Sequence, residues 1–226
     1  MASPVALAAL QEVARGPARR AGDVRLLPVV SALAAILPEA GLRRGTTVGV
    51  SGSASLLLTL LSGPSQAGAW CAVVGFAQLG LLAAAATGIA LERLALIPGP
   101  GPRGPVVVAA LLAAMDIVVV CPPARSRPAD GRRLTARARE RGTGLVAVGD
   151  WEAADLRVTA VERRWEGLGA GHGQVRAANL LVEVSGRGAA RRPRRAWLSG
   201  TGEPLPSAAP DLGEAGAARI RPIEVA

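Results

Sequence analysis

Lysine and tyrosine are absent from this 226-residue chain, which holds one phenylalanine, one histidine and two cysteines. Without lysine there is no residue to fill the charged position of a phosphate loop of the G-x-x-x-x-G-K-[ST] type, whose lysine meets the charge of the nucleotide. The single histidine, His172 in "GAGHGQ", has no neighbour in sequence with which to bind a metal or share a proton, and reads as a turn residue. Cys71 and Cys121 each border an apolar run. A disulfide framework or a metal site needs more numerous or closer ligands, so they read as buried thiols of a reduced cytosol. With so few aromatics, any core must be aliphatic and closely packed. Charge is missing as well: no acidic or basic residue occurs from Gly45 to Leu91. That length could cross a bilayer. However, it includes Gln78 and several glycines, and it divides into a strand, "WCAVVG", and a helix, "LGLLAAAATGIAL". No basic leader precedes "VALAAL", and that run is too short for a signal peptide.

Half of the residues are apolar, chiefly Ala, Leu and Val. The length suits one domain with extensions and a real core. All 26 basic side chains are arginine, and the net charge is +9. Such a balance favours an acidic partner, nucleic acid or an acidic protein surface, with solubility as the plain alternative. An arginine-only basic set beside abundant Ala, Gly and Pro is what GC-rich coding produces, which weakens each arginine as a signal by itself.

Residues 2–40 read as helical, in two pieces separated by "GPARRAGD" and ended by "LPEAG". From Gly45 short apolar runs alternate with helical ones. The predicted strands are "TVGVS", "WCAVV", "LALI", "DIVVV" and "GLVAVG"; the predicted helices lie around Leu56–Leu61, Leu79–Leu91, Pro105–Met115 and Asp130–Arg141. Continuous apolar strands that each lead to a helix indicate a parallel sheet covered on both faces, a doubly wound α/β fold. After Asp150, "LRVTAVERRW" and "NLLVEVSG" alternate apolar and polar residues around "EGLGAGHGQ", as antiparallel strands at the sheet edge do. From Ala189 the Arg/Pro-rich composition reads as a disordered extension.

The stretch "VGVSGSASLLLTLL", Val48–Leu61, is where strand, turn and helix would grip a phosphate. Gly52 opens the turn, but Leu57 and Leu58 stand at the glycine and lysine positions, and Thr59 alone keeps the pattern. A nucleotide hydrolase of this architecture also needs a metal-supporting acid at the end of one strand and a water-orienting acid or glutamine at another. Here "DIVVV" ends in Cys121 and "CAVV" leads to Gly75-Phe76-Ala77. Three absences in three expected places argue against hydrolysis. Ser51, Ser53 and Ser55 lack the G-x-S-x-G elbow and a histidine partner; they suit capping of the next helix.

"ALAAILPEAGLRRGTTVGVSGS" resembles the lead-in to the RecA-like recombinase core, with Gly41, Leu42, Gly45, Val48, Val50 and Gly52 carrying the match. More closely, "GSASLLLTLLSGPSQAGAWCAVVG", "LERLALIPGPG" and "RWEGLGAGHG" resemble the ImuA-type accessory proteins of actinobacterial mutasomes, over roughly Leu33–Gly188. The resemblance implies a RecA-like core at 41–188, after a helical segment at 1–40 and before a tail at 189–226. It also implies a cytoplasmic, nucleoid-associated accessory protein of translesion synthesis. Its partners would be a polymerase-like mutasome subunit and a replicative-type DNA polymerase, with DNA contact besides and no membrane. Leu57, Leu58, Ala77 and Cys121 depart from the active RecA-like ATPases and put nucleotide binding in doubt. The expectation is therefore a scaffold with no cofactor, no metal and a degenerate loop of Gly52, Ser53, Ser55, Leu57, Leu58 and Thr59. The alternative is an ATP-dependent DNA-repair enzyme with an atypical phosphate loop.

Two arginine sets complete the candidates. Arg133, Arg137 and Arg141 recur every four residues on one predicted helical face, either solvated or against a phosphate backbone. Arg187, Arg191, Arg192, Arg194 and Arg195 form a denser cluster without an acid among them, suited to DNA or an acidic partner. Trp165 reads as a packing anchor. Trp197, beside that cluster, also reads more as a packing anchor than as a base-stacking platform, and is the one tryptophan placed to be a recognition hot spot on a docking arm; the competing reading makes "RRAWLS" a final edge strand with Trp197 packed on the core.

Overall fold

A computed structural model describes residues 25–122, 127–168, 173–199, 203 and 217–219. Strand β1 (Leu26–Pro28) pairs antiparallel with β2 (Gly41–Arg43), and between them α1 (Ser31–Ala34) makes a single turn. This corrects the helical reading of residues 25–40. Pro28, with the β-branched Val29 and Val30 after it, favours extended chain. The first helical piece falls on residues 1–24, outside the described residues.

The main sheet is built from β3 (Thr47–Ser51), β4 (Cys71–Val74), β5 (Leu94–Ile97), β6 (Ile117–Val120), β7 (Gly144–Val148), β8 (Leu156–Leu168), β9 (Gly173–Gly186) and β10 (Arg194–Leu198). Their spatial order is β10-β9-β8-β3-β7-β6-β4-β5. From β5 to β8 every pairing is parallel, whereas β9 and β10 are antiparallel. The expected mixed α/β layer with antiparallel edge strands is therefore present. A short β11 (Ala217–Arg219) joins β8 at Glu162–Arg164, on the edge that β3 uses at Leu156–Thr159. The tail thus gives way to structure at two places. Arg194–Leu198 extend the sheet as its last strand, and Ala217–Arg219 return to β8.

Helices α2 (Ala54–Gln66) and α1 cover one face, while α4 (Gly104–Leu111) and α5 (Pro128–Arg141) cover the other. The strands serve both layers because successive residues point to opposite sides. Ile117 and Val119 join the α2 layer, whereas Val118 and Val120 join the α4–α5 layer. Within α2, Leu56, Leu57, Leu58, Leu60 and Leu61 are all buried. Gly63 lets this helix meet the chain after β1, since a Cβ there would lie 2.7 Å from Val29 Cα. Helix α3 (Leu81–Ala86) is shorter than the 79–91 run predicts, because the chain turns at Gly88, whose φ is +84°. Among the described residues no helix is long and apolar enough to cross a membrane.

Strand β8 contains a bulge. Ala160 lies opposite Val182 and Glu162 opposite Leu181, so Val161 has no partner of its own. Past the bulge, Arg163 faces Leu180 and Arg164 faces Asn179.

Candidate functional site

Ligands of open α/β sheets bind outside the carboxyl ends of the strands, so the turn after β3 is the first place to inspect. Gly52 adopts φ +88° and lies so close to the Ala160 carbonyl that no Cβ fits. Ser51 Oγ donates to Thr159 Oγ1 at 3.1 Å, and Arg163 Nη2 donates to Ser53 Oγ at 2.9 Å. The Arg163 guanidinium also stacks over Trp165, 5.3 Å from its ring centre. Strand β8 therefore runs past β3 and covers the turn. Ser53 stands at the helix N-cap but its side chain makes no capping bond, which corrects the capping role expected of it. Ser55 is exposed on the first turn of α2. Leu57 is 1% exposed, and Leu58 and Thr59 are each 4% exposed. The glycine and lysine positions of the motif thus belong to the core.

The other expected positions meet each other. Gly75, with φ +79°, approaches the Cys121 carbonyl so closely that a Cβ would lie 2.6 Å from it, and Cys121 N donates to Val74 O at 2.8 Å. Burial pushes the Cys121 thiol up. The Cys71 thiol is pushed up to about 12, first by burial and then by the Asp116 carboxylate. A thiol so raised is no nucleophile at neutral pH. Beside Gly75 and Cys121 opens a cavity of about 960 Å³ between the ends of β4 and β6 and the starts of α4 and α5. Val74, Val108, Val120 and Leu134 contribute apolar wall, and Asp130, Asp150 and Glu152 contribute carboxylates. Trp151, held by Nε1 donating to Thr135 Oγ1 at 3.1 Å, also lines it. The sequence reading passed over these acids: Asp130 lies in the first turn of α5, Asp150 follows the carboxyl end of β7, and Glu152 lies in the turn after it. Among the described residues, no cluster of His, Cys, Asp and Glu could hold a metal.

The arginines divide differently from their spacing. Arg137 Nε donates to Ala109 O at 2.9 Å, tying α5 to α4, and so does not join an open face with Arg133 and Arg141, which are exposed. Arg195 pairs with Glu183 at 2.6 Å. Arg187, Arg191, Arg192 and Arg194 are exposed. Trp197 is 5% exposed on β10, with the Arg164 guanidinium 4.8 Å from its ring centre. This overturns the docking-arm reading of Trp197: the ring is an anchor of the edge strand and is not presented to a partner. His172 lies outside the described residues.

The fold and the covered turn belong to a chain whose residues 35–153 match the model of the MT3502 N-terminal domain, and the chain is a member of that family. It is also 37% identical over 195 residues to a Mycobacterium tuberculosis protein called uncharacterized protein Rv3395c, an alignment covering 80% of this chain and 88% of that protein.

Proposed function

We propose that this chain is a RecA-like platform without ATPase chemistry, acting as an accessory protein of a translesion-synthesis mutasome in DNA-damage tolerance and induced mutagenesis. The observation that carries the non-catalytic part is the covered turn after β3: Ala160 abuts Gly52, Arg163 holds Ser53, and Leu57 and Leu58 face the core. A nucleotide bound there would have to displace a strand of the sheet. The order β5-β4-β6-β7-β3-β8 supports the RecA-like reading, since it places the turn-bearing β3 inside a parallel block, with a helix directly after it. The mutasome role rests on the resemblance of "LERLALIPGPG" and "RWEGLGAGHG" to ImuA-type proteins. The partners of this reading are the polymerase-like subunit and the replicative-type polymerase, in the cytoplasm at the nucleoid.

The test has two arms. Purified full-length chain should show no ATP turnover above a protein-free blank. Tagged chain from DNA-damaged cells should co-purify with the polymerase-like subunit. Robust turnover that Gly52→Val abolishes would reject the non-catalytic reading, and retrieval without any polymerase component would reject the mutasome reading.

A further inference from the structure

Arginines that are scattered in sequence come to one end of the sheet, Arg194 on the α2 side and Arg157 on the opposite side. Asp155, just before β8, fixes that end: its Oδ2 accepts from Thr47 N at 2.9 Å and its Oδ1 from Arg139 Nη2 at 3.0 Å. Its carbonyl accepts from Arg187 N at 3.0 Å. The last turn of α5, the start of β3 and the turn after β9 therefore converge on one residue at the amino ends of the parallel strands. Around it Arg141 ends α5, Arg157 begins β8, Arg187 follows β9, and Arg191 and Arg194 lead into β10; all five are exposed. Adjacent strands lie about 4.8 Å apart, so the four steps from β10 to β7 give a basic edge about 19 Å long.

The acids of this end are mostly engaged. Asp155 holds Arg139, Glu183 holds Arg195, Asp116 holds Arg44 at 2.8 Å, and Glu39 holds Arg43 at 2.8 Å. What remains is a surplus of guanidinium groups. These groups are suited to bidentate contact with phosphate. The large exposed apolar side chains Leu81, Leu82, Leu91, Leu96 and Val106 belong to α3, the turn after it, β5 and α4, remote from this edge in the strand order. A lipid surface would call for large apolar residues among the basic ones, and among the described residues none is exposed at this edge. About 19 Å of basic edge spans roughly half a turn of duplex.

We propose that this amino-end edge, through Arg141, Arg157, Arg187, Arg191 and Arg194, binds the phosphodiester backbone of nucleic acid without regard to sequence. The choice of nucleic acid among polyanions rests on the accessory-protein reading above; the convergence of the arginines does not. Arg157 is new to the site, and Arg133 and Arg137, at other points of α5, lie outside it.

The experiment is fluorescence anisotropy of the full chain with labelled duplex and labelled single strand, each of mixed sequence, between about 50 and 200 mM salt. Wild-type binding should be sequence-independent and fall steeply with salt. Reversing Arg141, Arg157, Arg187 and Arg194 to Glu together should weaken binding on the order of 100-fold and flatten the salt slope by roughly 0.9 per arginine. The same four changed to Gln should give a smaller loss in the same direction, which guards against misfolding of the reversed variant. Arg133→Glu should stay within about twofold of wild type. Absence of binding at low salt, equal loss on Arg133→Glu, or binding to acidic vesicles in place of nucleic acid would overturn the proposal. If nucleic-acid binding is absent while the polymerase-like subunit still co-purifies, only this proposal fails; if both are absent, the accessory-protein reading fails with it.

Discussion

The two ends of the parallel sheet have been put to opposite uses. At the carboxyl end, where α/β proteins keep their chemistry, the turn after β3 is closed by backbone, Gly52 against Ala160, and the space that remains opens beside Gly75 and Cys121 at the ends of β4 and β6. At the amino end, ordinarily a structural floor, an acid-anchored turn gathers exposed arginines from three elements and the turns beside them. The difference teaches that one turn of a fold can be closed by backbone while basic side chains collect at the opposite end of the same sheet.

The largest effect that could break this contrast is expected of Leu58→Lys. If the carboxyl end were an open site missing one charge, the new lysine would reach solvent or phosphate at little expense. Because Leu58 is buried in the α2 layer, the substitution should destabilise the fold on the order of 4 kcal/mol and create no ATPase. Denaturant unfolding, with ATP turnover measured alongside, checks it; a stable variant would show that the turn is open after all.

The amino end can be probed by alkali. Cys71 opens β4 beside Asp116, whose carboxylate Oδ2 accepts from Trp70 N at 2.9 Å. Its thiol is held neutral up to about 12, against an ordinary value of 9.0. The folded state therefore keeps its proton where the unfolded chain has released it. The stability this gives is intact below the ordinary value and is lost as pH rises from there toward 12, at up to about 1.4 kcal/mol per pH unit. Urea midpoints measured over that range should fall more steeply for wild type than for Cys71→Ala. Parallel slopes would mean that the amino end is wetter than its packing indicates.

A smaller effect sharpens the carboxyl end. Ser53→Ala removes the acceptor of the Arg163 bond and should destabilise by about 1–2 kcal/mol. Hydrogen exchange should quicken at the amides of Gly52 and Ser53, with the amides of β6 unchanged. Uniform change across the sheet would deny that Arg163 acts as a local latch.

The sequence made the parallel strands visible because each is a continuous apolar run flanked by small residues, and it made the failure of the phosphate motif visible at Leu57, Leu58 and Cys121. It concealed the reason for that failure. The Ser53–Arg163 bond joins residues 110 apart, and no local pattern announces it. Strand β10 was legible only as the competing reading of "RRAWLS", since Arg194 and Arg195 are exposed and the inward residues are few: Trp197 and Leu198 are buried and Ala196 packs against the core. The basic edge was half seen: a four-residue helical spacing grouped Arg141 with Arg133 and Arg137, whereas the sheet groups it with arginines from β8 and β10 that alignment along the chain keeps apart.

The bulge at Val161 has a consequence for how such chains change over descent. Because Val161 has no partner, Arg163 reaches Ser53 while its neighbour Arg164 stacks on Trp197. Deleting Val161 would leave that assignment intact, since the paired residues on either side already alternate correctly. Drawing Val161 into the regular pairing would exchange the two arginines, sending Glu162 and Arg164 toward α2. Over generations this turn should therefore forgive the loss of a residue and resist the loss of the irregularity, so that a gap at this point in a relative is compatible with the same closed end while a gap-free, evenly paired hairpin is not.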